Sequence, residues 1–450
     1  MSSIPDLASP AVLEQGHHYV PHVLWVAPFV AMLLSIAVLP LVAGHWWHSN
    51  LNRFKVALVC GLPVFGLFAY HGEWHTISHT VHEYASFLIL LASLYTASGG
   101  IVLRGDLKAN PMTNTAFLAL GSLLASFMGT TGAAMLLVRP LLKTNSQRRY
   151  KVHTAVFFVF TVCNIGGCLT PLGDPPLFLG YLRGVPFAWT FGLVYPWAFT
   201  LAVLLVLYFL IDSLFYARED KFSLEADRSH VEPLRLQGRS NFLWLIGVVL
   251  SVAFLTGPNL AQWLGQQETD LIPRFGRDAA LVLLGLGAYL TTRPENREAN
   301  EFTWHPILEV AALFFGIFLS MMAAIRLLEV NGQNLPLDSP QHYFWLTGTL
   351  SAFLDNAPTY VVFFEAGAAK AKGMGITDSL VAGVPEVDLT AISLGAVFMG
   401  AVTYIGNAPN FMVKAIAEER RVKMPSFFGY MMYSLVILVP VFLVSTLIFL

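Results

Sequence analysis

Charged side chains are scarce in this sequence. Asp, Glu, Lys and Arg make up only 12% of its 450 residues, whereas 56% are hydrophobic. An average soluble domain carries roughly 25% charged residues. The net charge of −2 gives no reason to expect a nucleic-acid partner. The composition therefore favours a protein that lies in the lipid bilayer.

Two further scarcities narrow the interpretation. Met1–Pro21 contains no Lys or Arg, so the positive stretch that opens a signal peptide is missing, and we expect the first apolar segment to remain as a helix. The only cysteines are Cys60, Cys163 and Cys168, and all three stand in apolar sequence. We expect them to be small buried residues.

Long apolar segments are abundant. A helix that crosses the bilayer needs about 20 mostly apolar residues, and in lipid its backbone polar groups must be satisfied within the helix. We predict an all-α polytopic membrane protein with ten crossings and two re-entrant hairpins. The crossings are Val23–Ala43, Val56–Tyr70, Tyr84–Leu103, Val152–Tyr181, Pro196–Ile211, Phe242–Leu255, Ala279–Leu290, Pro306–Leu328, Leu389–Ala417 and Ser426–Leu450; the hairpins are Thr113–Leu142 and Tyr343–Ala369.

The distribution of Lys and Arg orients these segments, because cytoplasmic loops are rich in both residues. Basic residues cluster in alternate loops, for example at 143–151 and 218–239, whereas His71–Glu83 and Asn331–His342 have none. Arg183, Arg274 and Arg277 are exceptions. The layout predicts a bacterial inner-membrane protein with both termini in the periplasm.

A short motif occurs twice. Thr170–Phe178 aligns with Thr403–Phe411, and Thr, Gly, Pro and Phe recur at the same four positions. Each copy follows a predicted hairpin with a small polar tip, and the predicted topology opens the two hairpins to opposite sides. Broken helices in matching positions of two inverted halves indicate the central binding site of a transporter. We therefore predict two inverted repeats, each with a re-entrant hairpin and a broken helix, that form the central site of a transporter.

This repeat divides the chain into five predicted segments. They are N-terminal scaffold helices at 1–112, a first transport-domain half at 113–191, scaffold helices at 192–342 with a cytoplasmic linker at 212–239, a second transport-domain half at 343–425, and a C-terminal helix at 426–450.

The residues at the tips and breaks suit cation binding. Gly and Pro break a helix and free backbone carbonyls, which can coordinate Na⁺ together with side-chain oxygens. Asp174 and Asp355 are the strongest candidates, because a carboxylate in the bilayer is costly unless it takes up a proton or a cation. Alternatively, each carboxylate only caps a half-helix. The predicted ion or substrate site comprises Thr130, Thr131, Asn164, Thr170, Asp174, Asp355, Asn356, Thr403 and Asn407.

Two other groups are candidates for weaker roles. Glu309 lies about one turn inside a predicted crossing and is a candidate relay or gate residue. His71, His75 and His79 have the spacing of one helix face, which is compatible with zinc binding, with pH sensing or with solvated histidines that have no special role.

At the repeated motifs the chain resembles the ion transporter superfamily, which holds sodium/proton antiporters, arsenite carriers and citrate or dicarboxylate carriers. The resemblance rests on Asn164-Ile165-Gly166-Gly167, which runs into Thr170–Asp174, and on Ser351–Pro358, and it is strongest to the sodium/proton antiporter branch. It implies a homodimer with an elevator-like transport domain. It also implies one cation site between Gly129–Gly132 and Thr170–Asp174, and a second between Asp355–Pro358 and Thr403–Asn407.

Three functions remain open from the sequence. The leading one is sodium/proton antiport, in which Na⁺ and protons compete for the intramembrane Asp residues and no cofactor is needed. The alternative is Na⁺- or H⁺-coupled transport of citrate or another small carboxylate; the absence of Lys and Arg from both tips and both breaks argues mildly against it. A membrane-embedded metalloenzyme that uses the histidines is the third, and we expect no enzyme.

Overall fold

The computed structural model describes residues 19–229 and 231–450, and α-helices dominate this part of the chain. This confirms the prediction of an all-α polytopic protein. The helices within the described residues are α1 (Ala27–Val42), α2 (Gly44–Trp47), α3 (Asn50–Tyr70), α4 (Trp74–Ser98), α5 (Pro111–Met128), α6 (Thr130–Thr144), α7 (Val152–Thr161), α8 (Pro175–Leu182), α9 (Val194–Tyr216), α10 (Lys221–Ser229), α11 (Asn241–Phe254), α12 (Gly257–Leu264), α13 (Leu271–Thr291), α14 (Pro294–Ala299), α15 (His305–Asn331), α16 (Pro340–Leu354), α17 (Asn356–Gly373), α18 (Glu386–Met399), α19 (Ala408–Glu419) and α20 (Phe427–Phe449).

Within the described residues, five helical segments are long and apolar enough to cross a membrane, and each matches a predicted crossing. A sixth would come from α11 and α12 together, which are bent by 79°. The other predicted crossings fall on helices that are shorter, broken or more polar. The five are Val23–Val42, Asn50–Tyr70, Phe187–Tyr216, His305–Asn334 and Phe427–Phe449.

The third predicted crossing ends earlier than expected. Helix α4 stops at Ser98, before Gly99 and Gly100, and the chain continues as strand β1 (Val102–Asp106). Strand β1 pairs antiparallel with β2 (Glu232–Gln237). Leu103 therefore belongs to a strand, and the predicted crossing Tyr84–Leu103 was too long because its apolar run gave no sign of the distant partner strand. A second small sheet joins β3 (Leu380–Val381) to β4 (Val384–Pro385).

The linker predicted at 212–239 is also more ordered than a polar loop. Its first residues complete α9, and it continues through α10 and β2. Asp212 is fully buried, where it forms an ion pair of 2.7 Å with Arg148 and a contact of 2.8 Å with His153. Burial by itself lowers the pKa of the Arg148 guanidinium, but the hydrogen bond and charge of Asp212 outweigh it and raise the pKa above its usual value.

Both predicted hairpins are present as pairs of antiparallel helices. In the first, α5 and α6 meet at Gly129, and their far ends are joined by reciprocal amide hydrogen bonds of 2.9 and 2.8 Å between Asn114 and Asn145. In the second, α16 and α17 meet at Asp355, and Lys370 beside the far end donates a bond of 2.7 Å to Asp338. Each hairpin thus returns to the side from which it started.

The two hairpins open toward opposite ends of α9. Trp189 lies just before α9 and donates a hydrogen bond to Glu386. Glu386 is next to a cavity that Asp338 and Lys370 line at the open end of the second hairpin. Asp212 near the end of α9 accepts a hydrogen bond of 3.0 Å from Asn114 at the first open end. An inverted repeat requires this arrangement, although the repeat and the five-segment division stay predictions; residues 1–18 of the first segment lie outside the described residues.

Candidate functional site

Two breaks interrupt the helices that follow the hairpins. Helix α7 ends at Thr161 and α8 begins at Pro175, whereas α18 ends at Met399 and α19 begins at Ala408. The chain turns back on itself tightly in each break. A Cβ at Gly173 would lie 2.1 Å from the Gly167 carbonyl oxygen, and one at Gly406 would lie 2.6 Å from that of Gly400. Only glycine permits such an approach.

Thr170 and Thr403 fasten the hairpin tips to these breaks. The Thr170 hydroxyl donates to the carbonyl of Ser126 in α5, and the Thr403 hydroxyl donates to the carbonyl of Ala352 in α16. Each hydroxyl also accepts a bond of 3.1 Å from a backbone N–H two residues further along. The two predicted site residues therefore position the tips from equivalent places in the two halves.

Asp174 lies where both tips and both breaks meet. Its side chain accepts hydrogen bonds from Thr130 (3.2 Å), Asn356 (2.5 Å) and Asn407 (2.8 Å), and Asp174 is only 1% exposed. The Thr130 N–H donates to the Gly173 carbonyl at 2.9 Å. Among the described residues, no Lys, Arg or His forms a salt bridge with this carboxylate. We refer to Asp174, Thr130, Asn356 and Asn407 as the Asp174 cluster.

Four helices begin at this cluster. Thr130 starts α6, Asn356 starts α17, and Asp174 and Asn407 directly precede α8 and α19. The N-terminus of a helix carries partial positive charge and free N–H groups. The four ends together place partial positive charge near a buried carboxylate that lacks a basic partner among the described residues.

Two amide oxygens, one within the Asp174 cluster and one near it, lack hydrogen-bond partners among the described residues. Asn356 Oδ1 and Asn164 Oδ1 are both buried and unpaired within the described residues, although the amide nitrogen of Asn164 donates to Asn410 at 2.9 Å. A buried polar group without a partner calls for an explanation such as an ion or a water. Carboxylate and amide oxygens are the ligands that hard cations prefer, so the donor set fits a small cation.

Asp355 has a different environment from Asp174. Its Oδ1 accepts from the Ala357 N–H at 3.2 Å, so the carboxylate caps α17. It is also the second hairpin's counterpart of Gly129, with φ 90° against 78°. A non-glycine residue at such φ and ψ costs of order 1–3 kcal/mol and is typical of functional sites.

Thr131 is the one predicted tip residue whose hydroxyl makes no hydrogen bond within the described residues.

Glu309 does not belong to the Asp174 cluster. It forms an ion pair of 2.9 Å with Arg53 of α3 and is 4.0 Å from His305. In the structure the Glu309 carboxylate neutralises the buried Arg53 between α3 and α15. Its role as a relay or gate residue therefore stays a prediction.

His71 lies outside α4, so the prediction that His71, His75 and His79 share one helix face was wrong for His71; His75 and His79 do lie one turn apart in α4. Helix α3 ends at Tyr70 and α4 begins at Trp74, which leaves His71 in the turn, stacked on Tyr19. His79 is 4.0 Å from Glu83 and largely exposed. No group of three or more potential metal-ligating side chains occurs in the described part of the chain. The i, i+4 spacing misled because Gly72 interrupts the helix.

Several residues of the site were missed from the sequence. Asn410 accepts from Asn164 and donates to the carbonyls of Gly400 and Thr403, so it holds the second break together. Ser126 and Ser351 donate from the hairpins to the backbones near the breaks. Asn410 lies within the repeated motif, but the aligned residue in the first copy is the nonpolar Leu177. The alignment therefore did not mark Asn410 as a site residue.

One comparison with known proteins covers nearly the whole chain. The CitMHS_2 family model, described as "Putative citrate transport", matches residues 18–450. No curated protein matches the sequence.

Proposed function

We propose, because this chain belongs to the CitMHS_2 family of membrane transporters, that it is a secondary active transporter in which Asp174 binds the coupling cation. The observation that carries the proposal is the position of this buried carboxylate, which both hairpin tips and the second break contact. Two of these contacts, from Asn356 and Asn407, join the second predicted half to the first, so movement of one half relative to the other would change both at once.

The chemistry of the site follows from its lack of a basic partner. A charged carboxylate in the bilayer costs about 2.5–3.5 kcal/mol on insertion scales. A bound proton or Na⁺ removes that charge, so an occupied site can move through the membrane more easily than an empty one. The unpaired oxygens of Asn164 and Asn356 complete the candidate ligands. Competition between H⁺ and Na⁺ for one carboxylate couples their movements.

Citrate is the first candidate for the cargo, because the family description names it. The N-termini of α6, α8, α17 and α19 supply partial positive charge for a carboxylate substrate. A cation bound at Asp174 would add attraction for the anion. The resulting function is cation-coupled uptake of citrate or a similar small carboxylate.

Sodium/proton antiport is the second candidate. It is favoured by a specific observation: the Asp174 cluster is buried and close-packed, and no basic side chain of the described residues contacts it. Such a site fits a small cation better than an anion with several carboxylates. In either case we propose a homodimer in the bacterial inner membrane with both termini in the periplasm, and no enzymatic reaction.

Proteoliposomes that contain purified protein and a trapped pH dye distinguish the two cargoes. Addition of Na⁺ alone should move protons if the protein is an antiporter. Uptake of labelled citrate that requires a Na⁺ or proton gradient would establish the citrate carrier. Neither response, from protein that is folded and correctly inserted, would contradict both candidates.

A further inference from the structure

Two contacts join α8 to α17, one at each end of the shorter helix. Asn356 donates to Asp174 at 2.5 Å where both helices begin, and the Arg183 Nε donates to Glu365 at 3.0 Å at the opposite end of α8. Asp174 and Arg183 are nine residues apart, as are Asn356 and Glu365. Equal spacing at both contacts means that the helices run parallel, with about 13 Å between the two contacts.

The helices are also in close contact between these ends. A Cβ at Gly180 of α8 would lie 2.2 Å from the Tyr360 hydroxyl of α17, so only a glycine allows this approach. Tyr360 is 1% exposed. This approach packs the middle of α8 against α17, between the two polar contacts, so we expect the two helices to move together.

Arg183 has a second carboxylate partner on a different part of the protein. Its Nη2 donates to Glu83 of α4 at 3.0 Å, so one guanidinium serves Glu83 and Glu365. Glu83 is 6% exposed, and its Oε1 has no partner among the described residues. Helix α4 belongs to the predicted scaffold, whereas α8 and α17 belong to the predicted transport halves.

We propose that Arg183 is a positioning residue that links the cation site to the scaffold. Through Glu365 it fixes the N-terminus of α17, and with it Asn356, against Asp174. Through Glu83 it ties the same helix pair to α4. The proposal rests on the proposed role of Asp174 in transport. It requires the Arg183–Glu83 contact to part when α8 moves relative to α4, while Glu365 keeps the guanidinium paired.

The Arg183–Glu365 contact holds α17, whereas the Arg183–Glu83 contact holds the helix pair to α4, so variants of the two glutamates should behave differently. Glu365→Gln removes the charge that holds α17, so the tip of the second hairpin should loosen. Glu83→Gln weakens only the link to α4, so that tip should stay in place. Arg183→Lys keeps the charge and should restore part of the effect of Arg183→Gln. Glu232→Gln is the control, since Glu232 of β2 forms an exposed ion pair with Lys143 of α6, far from α8 and α17 in the chain.

Hydrogen–deuterium exchange of the full-length protein in lipid nanodiscs reports the tip directly. We expect Glu365→Gln and Arg183→Gln to speed exchange over residues 352–360 and to leave the first tip, residues 125–133, unchanged. Glu83→Gln and Glu232→Gln should exchange as wild type at both tips. Wild-type exchange at 352–360 in Glu365→Gln would overturn the proposal, as would equal loosening of both tips, which indicates general destabilisation.

Transport kinetics give the second readout, with Na⁺ as the varied ion. Glu365→Gln should raise the half-saturating Na⁺ concentration about tenfold, a coupling within the usual range, with little change in maximal rate. Glu83→Gln should change the maximal rate and leave half-saturation unchanged. The same effect from both variants would contradict the proposal.

A failure of this inference is distinguishable from a failure of the proposed function. If Asp174→Asn keeps coupled transport, Asp174 is not the coupling site and the proposed function fails, whereas the exchange experiment still decides whether Arg183 positions the tip. If Asp174→Asn loses coupling and Glu365→Gln behaves as wild type in both assays, only the role of Arg183 is refuted.

Discussion

Asn356 donates a hydrogen bond of 2.5 Å to Asp174, although 182 residues separate them in the chain. The bond joins the tip of the second hairpin to the break that follows the first. Thr130 and Asn407 bring the other tip and the other break to the same carboxylate. Because all these elements meet at one buried charge, its occupancy can control their relative position.

Adjacent threonines at the first tip provide a matched pair of variants. Thr130→Val removes a hydrogen bond to the Asp174 carboxylate, and bonds to charged groups contribute about 1.5–3 kcal/mol. The same hydroxyl can also ligate a cation bound at this carboxylate, so we expect the half-saturating Na⁺ concentration to rise about tenfold or more. Thr131→Val should behave as wild type, since the Thr131 hydroxyl has no such bond. Equal effects of the two variants in the same transport assay would contradict the geometry of the tip.

Asp355 should show a conflict between stability and activity. Asp355→Gly relieves the positive φ, and glycine replaces a capping residue at a cost of only a few tenths of a kcal/mol. We expect the variant to be more stable by about 1 kcal/mol and less active in transport, which would indicate that the strained carboxylate has a functional role. Thermal unfolding in detergent and the vesicle assay measure the two effects. A stabilised, fully active variant would leave the carboxylate as a cap only.

The buried ion pair between Arg148 and Asp212 should contribute strongly to stability. Asp212→Ala leaves the Arg148 charge buried without its closest partner, and breaking a buried pair in this way costs about 3–5 kcal/mol. Lys143→Gln disrupts the exposed pair with Glu232 and should leave the unfolding midpoint close to that of the wild type. The midpoints of thermal unfolding of the two variants test this difference. Similar midpoints would mean that water reaches the Asp212 pair.

The histidines at the start of α4 should be dispensable. His75→Ala and His79→Ala should retain transport at neutral pH, because His71 lies in a turn and does not complete a metal site with them. Metal analysis of the purified protein should find no stoichiometric zinc. Zinc that disappears in His75→Ala together with activity would instead support a metal site.

Much of the fold was predictable because its determinants are local. Apolar segments of sufficient length, Gly and Pro at the breaks, and the small polar tips identified five of the ten predicted crossings and both hairpins. Strand β1 was missed because its stability depends on β2, which lies more than 100 residues away. The sequence alone places Asp212 in a polar loop, because no residue near it in the chain indicates that Arg148 is its partner.

The candidate site was predictable in membership and less so in roles. Asp174, Asn356 and Asn407 were all chosen from the motif, and they do meet. The sequence gives no reason to distinguish the carboxylates of Asp174 and Asp355, whereas in the structure only Asp174 accepts hydrogen bonds from both hairpin tips. That difference depends on how the second hairpin packs against α8, which no short motif records. The role of Arg183 was missed for the same reason, because its two partners come from separate helices.

The most direct test of the central claim compares Asp174→Asn with wild type in proteoliposomes that carry a pH gradient. Asparagine keeps the size of the side chain and removes its charge, so folding should be preserved while the proton and cation site is lost. We predict that Asp174→Asn abolishes both Na⁺-driven proton movement and gradient-driven citrate uptake, whichever of the two the wild type performs. Coupled transport at the wild-type rate in Asp174→Asn would contradict the account and place the coupling site elsewhere.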